Sequence, residues 1–135
     1  MTLPIESQRG RLASRSRRLI AQLIDDAVAF VPALVIAALN GWDPDTSAVS
    51  FRIATMLGVA YIIVSDGFEG GQSLGKRIMD IAVIDVESGA PCTYGQSIAR
   101  NLLLAVLGPI DWVFIFGDRH QRLGDKLART MVVDQ

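Results

Sequence analysis

The sequence has one cysteine and one histidine, Cys92 and His120, among its 135 residues. A single cysteine cannot form an internal disulfide, and neither residue stands at the spacing of zinc, haem or iron–sulfur ligands. The chain also lacks a Ser/His/Asp or Cys/His arrangement and any motif that pairs carboxylates for acid–base catalysis. We therefore expect no catalytic residues, no enzymatic activity, no metal site and no cofactor. Cys92 is expected to be an ordinary small residue and His120 a solvated or interfacial imidazole.

The chain also lacks an excess of charge of one sign, because 13 basic residues nearly balance 14 acidic residues. This balance gives no reason to expect a nucleic-acid partner. Half of the residues are apolar and the mean hydropathy is +0.35, which is high for a soluble domain. We expect a single domain over residues 1–135 that is embedded in a lipid bilayer.

The longest apolar run, residues 19–39, predicts the first transmembrane helix, since about 21 residues cross roughly 30 Å of hydrocarbon. Pro32 is expected to kink this helix, Asn40 and Gly41 to end it, and Trp42 to lie at the interface. Residues 1–18 are expected to be a cytoplasmic N-terminus, because five arginines precede the run against one acid, Glu6. These arginines are Arg9, Arg11, Arg15, Arg17 and Arg18.

A signal peptide is the alternative interpretation of this region, because Arg17 and Arg18 precede an apolar core. Asp25 and Asp26 would lie in or against that core, and no clean small-x-small cleavage site follows. The remainder of the chain is itself strongly apolar. These features favour a helix that is retained.

A second apolar run, residues 51–65, predicts a second transmembrane helix that returns to the cytoplasm and closes near Asp66. Residues 41–50 contain Asp43 and Asp45 but no basic residue, which predicts an exterior loop. Arg52 is expected to snorkel toward that loop.

The pattern then changes to that of a strand. Residues 78–86 alternate and are rich in Ile and Val, and residues 87–91 supply turn residues, so we predict a cytoplasmic β-hairpin within residues 76–97. Residues 130–133 are also strand-like and are a natural partner for residues 81–84. The tail, residues 118–135, is expected to be cytoplasmic.

The third apolar run, residues 102–117, is short and is broken by Gly108 and Pro109, with Asp111 just beyond. A complete third span would place the basic tail outside, against the positive-inside rule, and would separate the last strand from the hairpin. Two half-helices folded back to the cytoplasmic side avoid both conflicts. The predicted fold class is therefore an all-α membrane protein with a small cytoplasmic β-hairpin, two full transmembrane helices and a third apolar segment that is re-entrant or a short third span.

Arg18 and Asp25 are seven residues apart, so they share one helix face but lie about 10 Å apart along the axis. Each therefore needs a partner from elsewhere, since an isolated charge in a membrane helix is costly. Asp26 lies about 100° round the helix and is expected to face headgroups.

Residues 122–130 predict a short helix with Arg122, Asp125 and Arg129 within i, i+3 and i+4 reach, and an aspartate so placed can meet Arg18. The favoured hypothesis is an interfacial salt-bridge network of Arg18, Asp25, Asp125 and Arg129 that docks the tail under the bundle. An ion or substrate path through the same carboxylates stays open as the alternative.

Residues 70–77 contain glycines and a basic pair but lack the G-x-x-x-x-G-K-[ST] frame of a phosphate loop. We expect this segment to be a loop that lies on the bilayer, with its basic pair toward anionic headgroups. Its named members are Gly71, Gln72, Gly75, Lys76 and Arg77.

Several separated motifs, in the right order, make the chain resemble the RDD family of bacterial membrane proteins, which is named for an arginine and two aspartates. The resemblance covers nearly everything from Arg18 to Val133. Arg129 stands where the family often has glycine, and the third apolar region is short. The matching segments are residues 18–25, 71–77 (GQSLGKR), 89–91, Arg100 and residues 122–133.

The resemblance implies that Arg18, Asp25 and Asp125 are the central residues, and it implies a possible role in transport, with cation/proton exchange proposed for some members. The small size, the compact cytoplasmic hairpin and a number of full spans too low to enclose a pore alone lead us to expect an accessory or assembly subunit of a larger membrane system. The resemblance implies a bacterial cytoplasmic membrane. The alternative is a homo-oligomeric transporter of ions or small solutes. The expected partners are lipids and either other membrane proteins or further copies of this chain.

Overall fold

The structure is a computed structural model that describes residues 11–41, 44–108, 110–116 and 121–135. Two long helices, α1 (Arg15–Leu39) and α2 (Pro44–Val64), pack side by side. Shorter helices and a two-stranded sheet gather at one end of this pair. They are, in chain order, the 3₁₀ turns Ser65–Gly67 and Glu69–Gly71, α3 (Leu74–Ile78), β1 (Ile81–Asp85), α4 (Tyr94–Leu107), α5 (Ile110–Val113), the 3₁₀ turn Phe114–Phe116, α6 (Leu123–Leu127) and β2 (Thr130–Asp134).

Small residues bring α1 and α2 close together. α1 begins after Ser14, whose Oγ accepts a hydrogen bond from the Arg17 amide at 3.3 Å, and it continues through Pro32. A Cβ on Gly58 of α2 would lie only 2.2 Å from the carbonyl oxygen of Ala29, so glycine permits this backbone approach. The buried apolar face of α1 consists of alanines at helical spacing, namely Ala21, Ala29, Ala33 and Ala37.

The rest of the two long helices is apolar and exposed. α1 and the segment Ala48–Gly67 are long and apolar enough to cross a bilayer, yet only 28% and 11% of their most apolar windows are buried. A core helix of a soluble protein would be mostly buried. The prediction of two helices capable of spanning a membrane is therefore confirmed. Their most exposed large apolar side chains are Leu39, Met56, Leu57 and Val49.

The prediction of a loop over residues 41–50 is wrong, because α2 already begins at Pro44, while the exterior position of this segment stays a prediction. Proline is favoured in the first turn of a helix, and Asp45 in that turn faces the positive end of the helix dipole. Trp42 and Asp43, for which interfacial and loop positions were predicted, lie outside the described residues.

The predicted pairing between the middle strand and the C-terminus is confirmed. β1 and β2 are antiparallel, with Val83 opposite Val132. The predicted hairpin within residues 76–97 is present only in a minimal form. After the turn, Pro91 forms a bridge with Ile84. The Asp85 amide donates to the Ala90 carbonyl oxygen at 2.8 Å, and the Cys92 amide donates to the Val83 carbonyl oxygen at 2.9 Å. Thr93 then caps α4, so the returning strand extends no further. The sheet packs on a small core formed by Ala13, Ala21, Ile81, Val83, Cys92 and Val132.

The third apolar region consists of separate helical pieces. α4 begins at Tyr94, earlier than predicted, because Thr93 and Gln96 form a capping box. It ends at Leu107, where Gly108 adopts a φ of +54°, in agreement with the predicted break. Pro109 and residues 117–120, which include His120, lie outside the described residues.

Contacts bring the end of this region back to the start of α1. Arg15 Nη2 donates to the Phe116 carbonyl oxygen at 3.4 Å, and the Arg15 guanidinium lies 5.3 Å from the centre of the Phe116 ring. Lys126 lies 5.6 Å from the centre of the Phe114 ring. The chain therefore leaves along α4 and returns to the same end of the helix pair.

Candidate functional site: a buried chain of ion pairs

Asp25 is held by groups from two other elements. Tyr61 Oη of α2 and the Gly75 amide of α3 each donate to its Oδ1 at 2.8 Å. Ser73 Oγ donates to Oδ2 at 2.5 Å, and Lys76 Nζ lies 3.8 Å from Oδ2. The carboxylate is 2% exposed and therefore joins α1 to α2 and α3.

Glycine is required where α3 meets α1. A Cβ on Gly75 would lie 2.1 Å from the Ala21 carbonyl oxygen and 3.0 Å from Asp25 Cγ. Ser73 caps α3 by accepting from the Lys76 amide, which directs the first amide groups of that helix toward Asp25. The glycine-rich segment therefore packs inside the protein and holds α3 against α1.

Asp66, in the turn after α2, holds a second set of partners. Lys76 Nζ lies 2.5 Å from its Oδ1, and Arg100 Nη1 lies 3.4 Å from its Oδ2. Asn101 Nδ2 donates to Oδ2 at 3.0 Å. This carboxylate joins α3 to α4.

Asp125, in α6, meets several basic side chains. Arg18 Nη2 lies 2.5 Å from Oδ2, Arg100 Nη2 lies 2.6 Å from Oδ1, and Arg122 Nε lies 3.7 Å from Oδ1. The Arg122 amide also donates to Oδ2 at 3.1 Å. Burial alone would raise the pKa of Asp125, but the charges of Arg100, Arg18 and Arg122 outweigh it and hold that pKa well below its usual range. Asp125 is therefore ionised at neutral pH.

Arg100 links the second and third carboxylates. It is fully buried, and burial would lower its pKa, but the charges of Asp125 and Asp66 raise the pKa above its ordinary value. A Cβ on Gly124 would lie 2.2 Å from the Arg100 carbonyl oxygen, so this glycine lets α6 pack directly on α4.

Together these contacts form one continuous chain of alternating charges, which we call the ion-pair network. It joins α1, the turn after α2, α3, α4 and α6. Buried ion pairs add little net stability, because desolvation offsets their attraction, but removal of one member leaves a buried charge uncompensated. The order of members is Arg18, Asp125, Arg100, Asp66, Lys76 and Asp25.

The structure brings together most of the residues that the sequence singled out. Arg18 contacts Asp125 as predicted, and Asp25 finds its partners elsewhere, also as predicted. Arg122 belongs to the network through Asp125. Arg129 does not: it is 72% exposed and pairs with Glu87 at 3.1 Å, because its backbone turns it away from α6 toward the turn after β1.

The predicted bilayer-facing loop is wrong for most of its members. Lys76 is buried, because its ammonium group contacts the carboxylates of both Asp66 and Asp25. Gly71 packs against the Val83 carbonyl oxygen, and Gln72 Nε2 donates to the Ile81 carbonyl oxygen at 3.0 Å. Arg77 alone among the named members is exposed, and its Nη2 donates to the Glu69 carbonyl oxygen.

Sequence reasoning missed Asp66 and gave Arg100 no role beyond its place in the family motif. Asp66 stands directly after the second apolar run, where it was interpreted as the end of a helix, and Arg100 stands just before the third apolar run. One feature of the sequence could have pointed to Asp66. More basic residues lie near the helix ends than there were carboxylates assigned to pair with them. Ser73 and Tyr61 carried no signal, because hydroxyl groups are common in membrane helices and loops.

Asp26 faces an apolar groove rather than the network. Its Oδ1 accepts from Gln22 Nε2 at 2.9 Å. The groove lies between α1, α2 and α4, has a volume of about 500 Å³ and includes Asn101 among its polar members. The expectation that Asp26 faces headgroups stays a prediction. The apolar lining includes Leu23, Phe30, Val59, Ile63, Leu104 and Ala105.

Among the described residues, no three His, Cys, Asp or Glu side chains converge in a way that would hold a metal ion. Burial raises the pKa of the Cys92 thiol to about 11, so the thiol is protonated at neutral pH. Its Sγ lies 3.4 Å from the Thr93 carbonyl oxygen. The described site is therefore a set of buried ion pairs that holds several helices together.

The sequence model of the RDD family matches residues 12–129. The chain is similar to the proline-rich antigen of Mycobacterium leprae (strain TN), with 30% identity over 90 residues, which cover 62% of this chain and 36% of that protein. The chain thus spans little more than a third of the length of this curated relative. No solved structure matches the chain.

Proposed function

Because the chain belongs to the RDD family, we propose that this membrane protein is an accessory or assembly subunit that packs against a partner protein of a bacterial cytoplasmic membrane. The observation that carries this proposal is that each central carboxylate contacts a buried cation. Asp25, Asp66 and Asp125 each hold a buried cation in direct contact. A carboxylate that is clamped in this way supports the structure instead of exchanging ions.

We also propose that the protein is multi-pass with a cytoplasmic N-terminus and a re-entrant third segment. The contact of Arg15 with Phe116 supports the return of this segment to the end at which α1 starts. The bond from the Ala13 amide to the Val132 carbonyl oxygen supports placing both ends of the domain on one side. The basic residues at the start of α1 favour the cytoplasm for that side.

The groove between α1, α2 and α4 is the surface we assign to the partner. Its wall is apolar, as a membrane-embedded contact requires, yet Asp26 and Asn101 open into it. A carboxylate in an apolar groove is stabilised by a donor or a cation from an approaching helix. We therefore propose that the occupant is a transmembrane helix with a polar or basic side chain.

A homo-oligomeric transporter of ions or small solutes is the second candidate. The half-buried position of Asp26 in the groove favours it, since this carboxylate has Gln22 as its hydrogen-bond donor and faces open space. A pore between copies of the chain would then be lined by Asp26, while the clamped Asp25 and Asp125 would set the fold around it.

The experiment is a mild-detergent purification of the tagged native protein, with mass measurement and identification of co-purifying chains. Two variants make it specific. Ala105→Trp fills the groove, and Met56→Trp places the same side chain at an exposed position of α2 that is not among the groove residues. A stoichiometric membrane protein that is lost with Ala105→Trp and kept with Met56→Trp supports the accessory function.

Two outcomes contradict it. If only a homo-oligomer is recovered and reconstituted vesicles show a flux that stops with Asp26→Asn, the transporter is correct. If Asp25→Asn keeps full stability and abolishes flux, the carboxylates of the network act in transport, and the structural role proposed for them is refuted.

A further inference from the structure

A small pocket inside the ion-pair network has a lining of unusual charge. Four of its lining side chains are basic, and no carboxylate is among the described residues that form its wall. The carboxylates of the network contact these basic groups but are not among the lining residues. The lining consists of Arg18, Gln22, Lys76, Arg100, Arg122 and Val132.

The size of the pocket restricts its occupant. About 10 Å³ of free space is enough for a single species of about the size of a water molecule. A phosphate or sulfate group, with four oxygens round a central atom, exceeds it. A monatomic anion is the charged species that comes closest to this volume.

Arg100 is a lining residue whose hydrogen bonds are incomplete. It is fully buried, and its Nε has no hydrogen-bond acceptor among the described residues. Its Nη1 lies 3.4 Å from Asp66 Oδ2 but without hydrogen-bond geometry. Buried donors without acceptors are costly, and several cations round one small space concentrate a positive potential there.

We propose that this pocket binds one halide ion, chloride under cellular conditions, and that the ion completes the ion-pair network. The ion accepts from guanidinium and ammonium groups of α1, α3 and α4 at once. It thereby fastens α3 and α4 to the cytoplasmic end that we propose for α1, independently of any partner in the groove.

The first test uses the purified full chain in detergent micelles. Its melting temperature is measured while sodium gluconate is replaced by sodium chloride or bromide at constant ionic strength. We expect a saturable rise of about 3–5 °C, because a ligand that binds only the folded state stabilises it by mass action. Equal melting temperatures in gluconate, chloride and bromide overturn the proposal and assign the pocket to water.

The second test locates the ion. Gln22→Glu places a carboxylate on the pocket wall, where it substitutes for the ion, so the chloride dependence disappears. Gln22→Met loses the same hydrogen bond to Asp26 without adding a charge, so the chloride dependence remains. Retention of the full dependence in Gln22→Glu places the ion elsewhere and overturns the proposal.

Lys76→Gln provides the same test from the opposite side if Gln22→Glu does not fold. It removes one cation from the pocket wall, so half-saturation requires about tenfold more chloride. An unchanged half-saturation concentration in this variant also overturns the proposal.

Discussion

Arg18 and Asp125 are 107 residues apart in the chain, and Arg18 Nη2 lies 2.5 Å from Asp125 Oδ2. Both side chains are buried. The pair ties the start of α1 to α6, just before β2 completes the sheet. The first and last elements of the domain are therefore fastened by charge as well as by the bridge between Leu12 and Val133.

Asp125→Asn should destabilise the fold by about 3–5 kcal/mol, because it leaves Arg18 and Arg100 without their shared carboxylate. The free energy of unfolding is measured by equilibrium denaturation in mixed micelles. Asp26→Asn is the control and should change it by less than about 1 kcal/mol, since the amide still accepts from Gln22. Equal changes in the free energy of unfolding for the two substitutions would show that the ion-pair network contributes no more to stability than the contact of Asp26 with Gln22.

Stability should fall in acid through Asp125. Its folded-state pKa is depressed, while its unfolded value is about 3.9, so its contribution is present above that pH and is lost as the pH falls further. The difference in unfolding free energy between wild type and Asp125→Asn should be constant from about pH 7 to pH 5 and shrink below about pH 4. A difference that already shrinks near neutral pH would indicate an exchangeable proton and favour transport.

Gly75→Ala should destabilise the protein by about 1–3 kcal/mol or more, because the new methyl group would lie 2.1 Å from the Ala21 carbonyl oxygen. Gly95→Ala is the matched control. The nearest atom to its methyl group is Thr93 Oγ1 at 3.9 Å, and alanine in a helix is favoured by about 0.5–1 kcal/mol over glycine. Melting temperatures of both variants in detergent test this, and a stable Gly75→Ala would refute the close contact of α3 with α1.

Arg129→Gly should stabilise the protein by about 1 kcal/mol, because residue 129 has a φ of +54°, where glycine is unstrained. This conformation gives a physical reason for the glycine that the family often has at this position. Arg129→Ala is the control: it loses the same exposed contact with Glu87 but keeps the strain. If both variants unfold at the same denaturant concentration, the backbone strain is absent.

The re-entrant third segment predicts a pattern of thiol labelling. In a Cys92→Ser background, Ser88→Cys and Phe116→Cys should react with a membrane-impermeant reagent from the same side of the membrane. Asn40→Cys, at the far end of α1, should react from the other side. Labelling of Phe116→Cys together with Asn40→Cys would instead mean that the third segment crosses completely.

Local patterns in the sequence were sufficient for the two long helices and for the strands. Apolar runs of membrane-spanning length depend on composition alone, and the alternation near Ile81 needs only neighbouring residues. The predicted hairpin is short for a local reason. Thr93 begins α4 directly after Cys92, so the returning chain pairs with β1 only between Ala90 and Cys92.

The central charged residues were likewise predicted from the sequence only in part. The sequence alone determined that Arg18, Asp25 and Asp125 are ionisable groups beside apolar helices and therefore need partners, because burying a lone charge is costly. Only the tertiary structure decided which partners they have. Asp66, Arg100 and Lys76 come from elements far apart in the chain, and glycines at 75 and 124 set how closely those elements pack. Ion pairing depends on distances of a few ångströms in space, and sequence spacing does not specify such distances between separate helices.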